Sequence, residues 1–326
     1  MTPLAERYRD RLPLTEATPV VTLGEGSTPL LRAPRLSKML GIEVWLKWEG
    51  ANPTGSFKDR GMTIAVSKAV EEGAGAVVCA STGNTAASAA AYAARAGIRA
   101  VILQPAGAVA RGKIVQAQAA GARVLELQGP FEAALTAARE LARRGTHALV
   151  NSLNPYRLEG QKTAAFEIVE ALDGAPDVLA LPYGGGGNTR AFGLGFDTVG
   201  TGMPRFLAGE SSTRAYTMAT AIRIAEPAHR AEAEAAVALS GGAIVPLSDE
   251  EILSSWRRLA ELEGLFCEPA SAAGLAAVVK ERPEPGTRVV CVITGHGLKD
   301  QEAAARLSTP PISVPPDPAA IAEAAS

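Results

Sequence analysis

Lys58 is the side chain whose placement first suggests chemistry. It begins a predicted helix within PTGSFKDRG, after a predicted strand over residues 42–48. An ammonium group opposes the positive end of a helix dipole, so this position does not favour stability. Burial beside cationic neighbours lowers a lysine's pKa and gives the neutral amine that forms a Schiff base with a carbonyl. A solvated surface lysine is the alternative that the residues alone leave open.

A second candidate site is the polar segment STGNT at residues 81–85, which follows a predicted strand and begins an alanine-rich helix. Its hydroxyl and amide side chains converge with the free N–H groups of a helix start, an arrangement that suits a carboxylate. An ordinary N-cap is the alternative. A cap needs only one such side chain, whereas this segment offers Ser81, Thr82, Asn84 and Thr85.

A third candidate is a run of glycines between a predicted strand over 177–182 and a predicted helix over 188–199. The run is Gly184, Gly185, Gly186 and Gly187, followed by Asn188. Successive backbone N–H groups at a helix start can surround a phosphate. The spacing is not that of a dinucleotide fingerprint, and no acidic residue follows at the required distance, so the pattern disfavours NAD. A flexible linker is the alternative.

The last predicted strand ends at the fourth candidate, TGHGLKD, where Thr294 can present a hydroxyl to a ring nitrogen. His296 could act as a general base, but a histidine between glycines is more often a turn or packing residue. Residues 107–113 match the P-loop pattern G-x-x-x-x-G-K of nucleotide-binding proteins, but incompletely. Ile114 follows instead of Ser or Thr, so the magnesium ligand of an ATPase is missing.

The elements that must position these segments alternate as in an α/β protein with largely parallel sheets. Predicted strands cover 42–48, 76–80, 99–104, 122–127, 147–150, 177–182, 204–208, 243–247 and 287–293. Predicted helices cover 58–72, 84–96, 111–120, 130–144, 156–172, 188–199, 213–225, 248–263 and 269–281. Ligands of such sheets bind beyond the carboxyl ends of the strands, where all four candidate segments are expected.

Composition narrows the classes of partner. The chain has 326 residues, enough for two domains, and 32 basic against 34 acidic side chains without a basic stripe. We therefore expect a small-molecule substrate and neither nucleic acid nor membrane as partner. No metal ligand spacing is present, and Cys79, Cys267 and Cys291 read as buried, reduced thiols. The charged N-terminus lacks the features of a signal peptide, and we expect a cytoplasmic location.

These motifs in this order resemble the pyridoxal-phosphate enzymes of the tryptophan synthase β type (fold type II), and among them the threonine synthases. The resemblance rests on TPVVTLGEGSTPLL, KWEGANPTGSFKDRGM, CASTGNTAASAAAYAARAG, NSLNPYRLEGQKTAAFEI, TMATAIRI, LSDEEIL, EGLFCEPASAA and TGHGLKD, which together span roughly residues 8 to 300. GSFKDRG and STGNT mark the wider family. NSLNPYRLEGQKT and TGHGLKD point to the threonine synthases.

The resemblance implies a role for each matching residue. Lys58 would hold pyridoxal 5'-phosphate as a Schiff base, Asn84 would meet its phenolic oxygen and Thr294 its ring nitrogen. The glycine run with Asn188 would bind the cofactor's phosphate. Ser81, Thr82 and Thr85 would receive the substrate carboxylate. The site for the substrate's own phosphate would consist of Lys113, Asn151, Ser152 and Arg157.

The implied reaction converts O-phospho-L-homoserine and water to L-threonine and phosphate. The alternative is a pyridoxal-phosphate-dependent threonine or serine dehydratase. The glycine run favours it, because the family usually has GNAGN there, and Gly185 replaces its asparagine. The segment after Phe206 is also shorter than in the family. The dehydratase would have no use for a second phosphate site.

The resemblance also implies how the chain is divided and assembled. Residues 1–51 would form an N-terminal arm and part of a large domain, and 52–152 a small domain that carries Lys58 and the carboxylate segment. Residues 153–307 would complete the large domain, with the cofactor in the cleft between the two. The proline-rich residues 308–326 are expected to be a disordered tail. A homodimer is the expected assembly.

Overall fold

Two sheets organise the chain. Its computed structural model describes residues 2–107, 111–307 and 309–325, without the side chains of 111–113 and 306–307. The strands are β1 (Leu30–Arg32), β2 (Glu43–Trp48), β3 (Ala76–Ala80), β4 (Arg99–Pro105), β5 (Arg123–Leu127), β6 (Ala148–Leu149), β7 (Val178–Tyr183), β8 (Arg205–Ser211), β9 (Ala243–Leu247) and β10 (Arg288–Ile293). Every predicted strand is present.

Helices connect these strands and cover the sheets. They are α1 (Leu4–Arg7), α2 (Pro34–Leu40), α3 (Lys58–Glu71), α4 (Asn84–Arg95), α5 (Arg111–Ala119), α6 (Phe131–Arg143), α7 (Pro155–Leu172), α8 (Gly187–Val199), α9 (Arg230–Leu239), α10 (Asp249–Glu263), α11 (Ala273–Glu281), α12 (Gln301–Leu307) and α13 (Pro318–Ala324). Short 3₁₀ turns, including those over Thr220–Ile222, Pro269–Ala272 and Gly297–Asp300, complete the described part.

The larger sheet has the order β1-β2-β10-β7-β8-β9, and the smaller has the order β5-β4-β3-β6. All neighbouring strands run parallel except β1, which pairs antiparallel with β2. The parallel α/β class predicted from sequence is therefore confirmed. The smaller sheet takes only strands from the middle of the chain, while the larger takes β1 and β2 together with β7 to β10.

Helices lie on both faces of each sheet, as parallel sheets require. In the larger sheet, the hydrophobic cluster that includes Leu275 and Trp256 covers one face. The cluster that includes Ala165 and Ile168 covers the other. Each residue of β3 and β7 is buried, so these strands are apolar without alternation. Cys79, Cys267 and Cys291 are free and buried, as predicted.

The helix predicted over 213–225 is wrong. That segment is irregular except for the turn over Thr220–Ile222, because a side chain of α10 and one of the segment itself bind its backbone. Asp249, the first residue of α10, accepts from the N–H of Met218 at 2.9 Å, and Arg223 donates through Nε to the carbonyl of Thr217 at 2.8 Å. Burial of Ile222 then fixes the segment against the larger sheet.

Prediction from sequence missed α9, α2 and the edge strand β1. In α9 only Ala233 and Val237 are buried, so the helix has almost no apolar stripe for a periodicity argument to find. Its alanines and glutamates nevertheless favour a helix intrinsically. β1 is three residues long and is defined by its pairing with β2, which the sequence does not display. In the C-terminal segment α13 has no buried residue.

Glycines bring α3 and α7 into close contact. A Cβ on Gly160 of α7 would lie 1.9 Å from the carbonyl oxygen of Arg60, and one on Gly61 of α3 would lie 2.6 Å from the carbonyl oxygen of Arg157. Such distances exclude any larger residue unless the helices separate. Because Lys58 begins α3 and Arg157 lies in the first turns of α7, this contact sets the spacing of two predicted site residues.

Candidate active site

The candidate segments all lie beyond the carboxyl ends of strands. Residues 81–85 follow β3, Asn151 and Ser152 follow β6, residues 184–187 follow β7, and Thr294 follows β10. Contacts described below connect these segments to one another. The placement agrees with the rule that ligands of parallel sheets bind at this edge.

Lys58 begins α3 with its amine enclosed by the protein. Its pKa falls to about 7, mainly because of burial and also because of repulsion from the Arg157 guanidinium, while attraction by Glu268 opposes the shift. The amine lies 4.2 Å from the ring centroid of Phe57. The direction of the shift is the one predicted from sequence. An amine with this pKa is substantially neutral near neutral pH and can add to a carbonyl.

The segments that carry Lys58 and Thr294 are bound to each other. Ser56 and Gly295 form an antiparallel bridge, and the N–H of Phe57 donates to the carbonyl of Thr294 at 3.0 Å. The Thr294 hydroxyl lies 2.9 Å from the hydroxyl of Ser271. These contacts fix the side chain predicted to meet the ring nitrogen relative to the lysine.

Asn84 occupies the first position of α4 and is buried. Its Nδ2 donates to Oε1 of Glu268 at 2.9 Å, while its Oδ1 has no hydrogen-bond partner in the part of the chain that the structure describes. Glu268 is 1% exposed, and its N–H donates to the carbonyl of Gly295 at 3.0 Å. Glu268 thus ties the start of α4, through its carboxylate, to the segment just after β10, through its backbone N–H.

Sequence reasoning missed Glu268 as a site residue. It lies within the EGLFCEPASAA motif just before the turn over Pro269–Ala272, and its neighbours in the sequence give no signal of its burial or of its contact with Asn84. Electrostatically it attracts the Lys58 ammonium. It therefore belongs to the surroundings of the reactive amine.

The predicted carboxylate segment is partly exposed and folded as a helix entry. The N–H of Gly83 donates to Oγ of Ser81 at 3.1 Å, and Thr82 lies between them in the same bend. Thr85 receives a long contact of 3.5 Å from Nη1 of Arg157. This contact brings the predicted carboxylate and phosphate sites side by side.

The glycine run has the geometry of an anion site. Gly186 has φ +79°, and a Cβ there would lie 2.7 Å from the carbonyl oxygen of His229, so only glycine fits. At the first turn of α8, Nδ2 of Asn188 and Oγ1 of Thr189 are buried without a partner among the described residues. Unpaired buried donors at a helix start suit a bound phosphate. The sequence did not single out Thr189.

Arg157 and Arg60 are both 0% exposed, but their environments differ. Arg60 uses every guanidinium nitrogen, with Glu49 and Glu167 as its carboxylate partners at 2.7–2.8 Å. Arg157 donates through Nη1 to the carbonyl of Val150 at 3.2 Å, while its Nε and Nη2 find no acceptor within the described parts of the chain.

The unpaired guanidinium nitrogens of Arg157 indicate a ligand. Burial lowers the pKa of Arg157 to about 10, so the group is still cationic near neutral pH. A buried cation without a carboxylate partner is costly. An anion with two oxygens, such as a phosphate, would satisfy both free nitrogens at once.

The other three residues predicted to bind the substrate's phosphate differ in what their side chains or backbone contact. The Asn151 amide binds the backbone of Ala80 through both its atoms, at 2.9 and 2.8 Å, so it holds the end of β3. The Ser152 carbonyl oxygen lies 2.8 Å from Nε2 of His229, within hydrogen-bond distance. Lys113 lies in α5, but its side chain is outside the described residues, as is most of the loop before it. Each assignment to substrate stays a prediction.

His296 has the turn and packing role that its glycine neighbours indicated. Its Nδ1 accepts from the N–H of Leu298 at 3.1 Å and caps the turn over Gly297–Asp300. The ring packs beside Trp48 and Phe266, with centroids 5.7 and 6.2 Å away. The described residues contain no cluster of potential metal ligands, and none of their helices is long and apolar enough to cross a membrane.

The site therefore fits a phosphate-bearing carbonyl cofactor. It offers a low-pKa lysine, one helix start with unpaired donors, and a separate arginine with two free nitrogens. The chain matches the family described as pyridoxal-phosphate dependent enzymes over residues 21–295. The fold and this match define the class of the protein as a pyridoxal-phosphate-dependent enzyme.

Relatives narrow the class. The chain is 51% identical to a threonine synthase of Synechocystis sp., over 94% of this chain and 85% of the relative. It is 49% identical to a threonine synthase of Halalkalibacterium halodurans, over 92% of this chain and 90% of the relative. The chain belongs to the threonine synthase family.

A solved structure illustrates the shared fold. The processed form of threonine deaminase isoform 2 from Solanum lycopersicum superposes with a TM-score of 0.74 at 23% identity, over 93% of this chain and 88% of that chain. Identity at this level speaks for the fold alone. The predicted fold type is thereby confirmed, and the choice between synthase and dehydratase rests on the relatives and the site.

Proposed function

We propose that the chain is a threonine synthase that converts O-phospho-L-homoserine and water to L-threonine and phosphate. The observation that carries this proposal is the buried Arg157, whose Nε and Nη2 are unpaired among the described residues and whose charge acts on Lys58. A second anion site apart from the glycine run matches a phosphate-bearing cofactor together with a phosphate-bearing substrate. The two threonine synthases that are 51% and 49% identical to this chain support the same conclusion.

The residues near Lys58 fit pyridoxal 5'-phosphate. Lys58 would bind its aldehyde carbon, and Asn84 and Thr294 would bind its phenolic oxygen and ring nitrogen. The glycine run and Asn188 would bind its phosphate, with Thr189 as an added donor. When bound, the cofactor supplies stabilisation of negative charge at the carbon atoms next to the substrate's amine.

The substrate would be held at both ends. Ser81, Thr82 and Thr85 would bind its carboxylate beside the start of α4. Arg157 would bind its phosphate in bidentate fashion, together with Lys113 and the segment that contains Asn151 and Ser152. Holding both ends orients Cα toward Lys58.

Lys58 moves the protons of the reaction. Its neutral amine removes the proton from Cα, and a second proton leaves Cβ as the Cγ–O bond breaks and phosphate departs with the bonding pair. Cγ then takes up a proton, water adds its oxygen at Cβ while one of its protons passes to the released phosphate, and Cα is reprotonated. The balance is one substrate and one water for one threonine and one phosphate, with no oxidant or reductant. A pKa of about 7 lets Lys58 both accept and return a proton near neutral pH.

A dehydratase would use Lys58 and the glycine run but would leave Arg157 without a function. Its substrates carry no phosphate. A buried arginine with two free donors would then destabilise the fold without binding a substrate. The synthase explains this residue, and the dehydratase does not.

Further proposals concern domains, assembly and location. We propose that residues 1–51 with 153–307 form a large domain around the larger sheet, that 52–152 form a small domain around the smaller one, and that 308–326 lie outside both. The N-terminal arm supports a homodimer. The biosynthetic role of the relatives supports a cytoplasmic enzyme.

The test is a product assay with O-phospho-L-homoserine. The wild-type enzyme is expected to release threonine and inorganic phosphate in equal amounts. Arg157→Ala is expected to raise KM roughly 100-fold or more, because two hydrogen bonds to a charged group are lost and each contributes about 1.5–3 kcal/mol, while the bound cofactor is retained. Arg143→Ala, an exposed arginine of α6, is the matched control. Release of a 2-oxo acid, or activity on threonine or serine alone, would contradict the proposal.

A further inference from the structure

His229 lies between the two predicted phosphate sites and belongs to neither. It directly precedes α9, and 3% of the residue is exposed. Its Nε2 lies 2.8 Å from the carbonyl oxygen of Ser152, and its Nδ1 lies 3.3 Å from Nη1 of Arg190. A carbonyl can only accept and a guanidinium can only donate, so the partners assign the ring proton to Nε2.

The backbone of His229 contacts the glycine run directly. Its N–H donates to the carbonyl of Gly185 at 3.0 Å, and its own carbonyl oxygen would lie 2.7 Å from a Cβ on Gly186. The imidazole lies beside Gly187, with Cδ2 3.3 Å from a Cβ placed there. One residue therefore touches three consecutive glycines of the predicted cofactor-phosphate site.

The other end of the contact belongs to the predicted substrate-phosphate site. Ser152 lies between Asn151, which clamps the end of β3, and Asn154, whose side chain caps α7. That helix carries Arg157. A shift of the Ser152 carbonyl would therefore move the start of α7 relative to the glycine run.

The glycine run cannot set this spacing with its own side chains. Gly185, the position where the family usually has asparagine, has ordinary φ, and a Cβ there would meet only Ile224 at 3.5 Å. The space for a side chain exists but is left empty. His229 reaches the substrate-phosphate segment instead, from the far side of the run.

We propose that His229 is a positioning residue that fixes the distance between the cofactor-phosphate and substrate-phosphate sites through its Nε2–H donation to Ser152. This inference rests on the proposed function. It adds a specificity determinant directly before α9, outside both predicted sites. Arg190 supports it by donating to Nδ1 and so holding the ring plane.

The test compares holoenzymes of His229→Leu and His229→Gln, with inorganic phosphate as the probe and calorimetry as the measurement. Loss of the N–H donor in His229→Leu is expected to weaken phosphate binding about tenfold and to raise KM more than it lowers kcat. The glutamine amide can donate in the same direction and is expected to restore most of the affinity. His147→Gln, a histidine whose ring contacts the neighbouring Thr146 hydroxyl, is the matched control and should bind phosphate as the wild type does.

Several results would overturn the inference. Wild-type phosphate affinity in His229→Leu would do so, and so would equal losses in the leucine and glutamine variants, which would indicate general packing. Should His229→Leu fail to fold, Arg190→Met serves instead, because Arg190 is partly exposed and its loss frees the ring. A partial loss of phosphate affinity supports the proposal, and an unchanged affinity overturns it.

The phosphate measurement is independent of turnover. If the wild type binds phosphate but makes no threonine, the proposed function fails while the variants still judge the role of His229. If the wild type makes threonine and His229→Leu behaves identically, the inference alone fails.

Discussion

Lys58 and Arg157 are both buried, and the charge of the guanidinium lowers the proton affinity of the amine. Burial is the main reason why the pKa of Lys58 falls to about 7, and the guanidinium adds repulsion. A phosphate bound at Arg157 would cancel part of that repulsion. Substrate binding would then raise the pKa of the amine that has to accept a proton.

The first prediction concerns the pH dependence of cofactor uptake. The cofactor-free protein should bind pyridoxal phosphate at a rate that rises with pH and levels off above about 7, because only the neutral amine of Lys58 reacts. Inorganic phosphate should move this midpoint upward. Stopped-flow absorbance measures the rate, and Lys58→Ala is the control without covalent uptake. A midpoint near the ordinary lysine value of about 10.4 would contradict the account.

At the scale of residues, sequence reasoning found those whose type is unusual for their place. Lys58 at a helix start and the run from Gly184 to Gly187 conflict with local stability, and such conflicts are visible in a sequence. Glu268 and His229 were missed because nothing in their neighbours conflicts. Their importance comes from contacts with Asn84 and Ser152, which are distant in the chain.

At the scale of elements, the turn between β7 and α8 is the most constrained part of the candidate site. Gly186 has a backbone conformation that other residues rarely adopt, whereas Gly185 does not. The two glycines are neighbours with the same chemistry. They therefore separate the effect of conformation from the effect of composition.

The second prediction compares alanine at these two positions. Gly186→Ala should lower the free energy of unfolding by roughly 1–3 kcal/mol and weaken cofactor binding, because of its positive φ and the clash with the His229 carbonyl. Gly185→Ala should change stability by less than about 1 kcal/mol, since its Cβ makes ordinary contact with Ile224. Urea unfolding and cofactor titration measure both. Equal effects of the two substitutions would refute the structural explanation.

Helices and strands were predictable where their burial produces a hydrophobic periodicity or a continuous apolar run in the sequence. All the predicted strands are present, but the helix over 213–225 is absent and α9 was missed. In the first case Asp249 and Arg223 hold the backbone in an irregular path. In the second the helix buries only two small side chains. The contact with Asp249 is long-range and is therefore absent from a local pattern, while a helix that buries so little has almost no apolar stripe to detect.

At the scale of the whole molecule, one buried charge network joins the parts that carry the site. Arg60 of α3 forms ion pairs with Glu49, which directly follows β2, and with Glu167 of α7. Glu167 also accepts from Lys47 of β2 at 2.7 Å and from the N–H of Ser27 in the N-terminal arm at 2.7 Å. These contacts tie the arm, the larger sheet and the helix of Lys58 together.

The third prediction is that Glu167→Gln destabilises the protein by about 3–5 kcal/mol near neutral pH, because it leaves buried cations without their partner. The cations lower the folded-state pKa of Glu167 well below its ordinary value. The unfolded chain therefore takes up this proton first, and wild-type stability is lost as pH falls below the ordinary glutamate range of about 4.

Urea midpoints at neutral and acidic pH measure this effect. The gap between the wild type and Glu167→Gln should narrow as pH falls. Glu170→Gln, one helical turn away at a half-exposed ion pair with Arg7, is the matched control and should cost less than about 1 kcal/mol. A gap that is independent of pH would show that the charge of Glu167 is not the cause.

The central claim is that phosphate leaves by C–O cleavage and that water replaces it at the neighbouring carbon. Turnover of O-phospho-L-homoserine in water labelled with heavy oxygen tests this claim most directly, with mass spectrometry of both products. The account predicts the label in the hydroxyl of threonine and none in the released phosphate. Label in the phosphate would indicate P–O cleavage by a phosphatase, and label in a 2-oxo acid would indicate a dehydratase; either result would contradict the account.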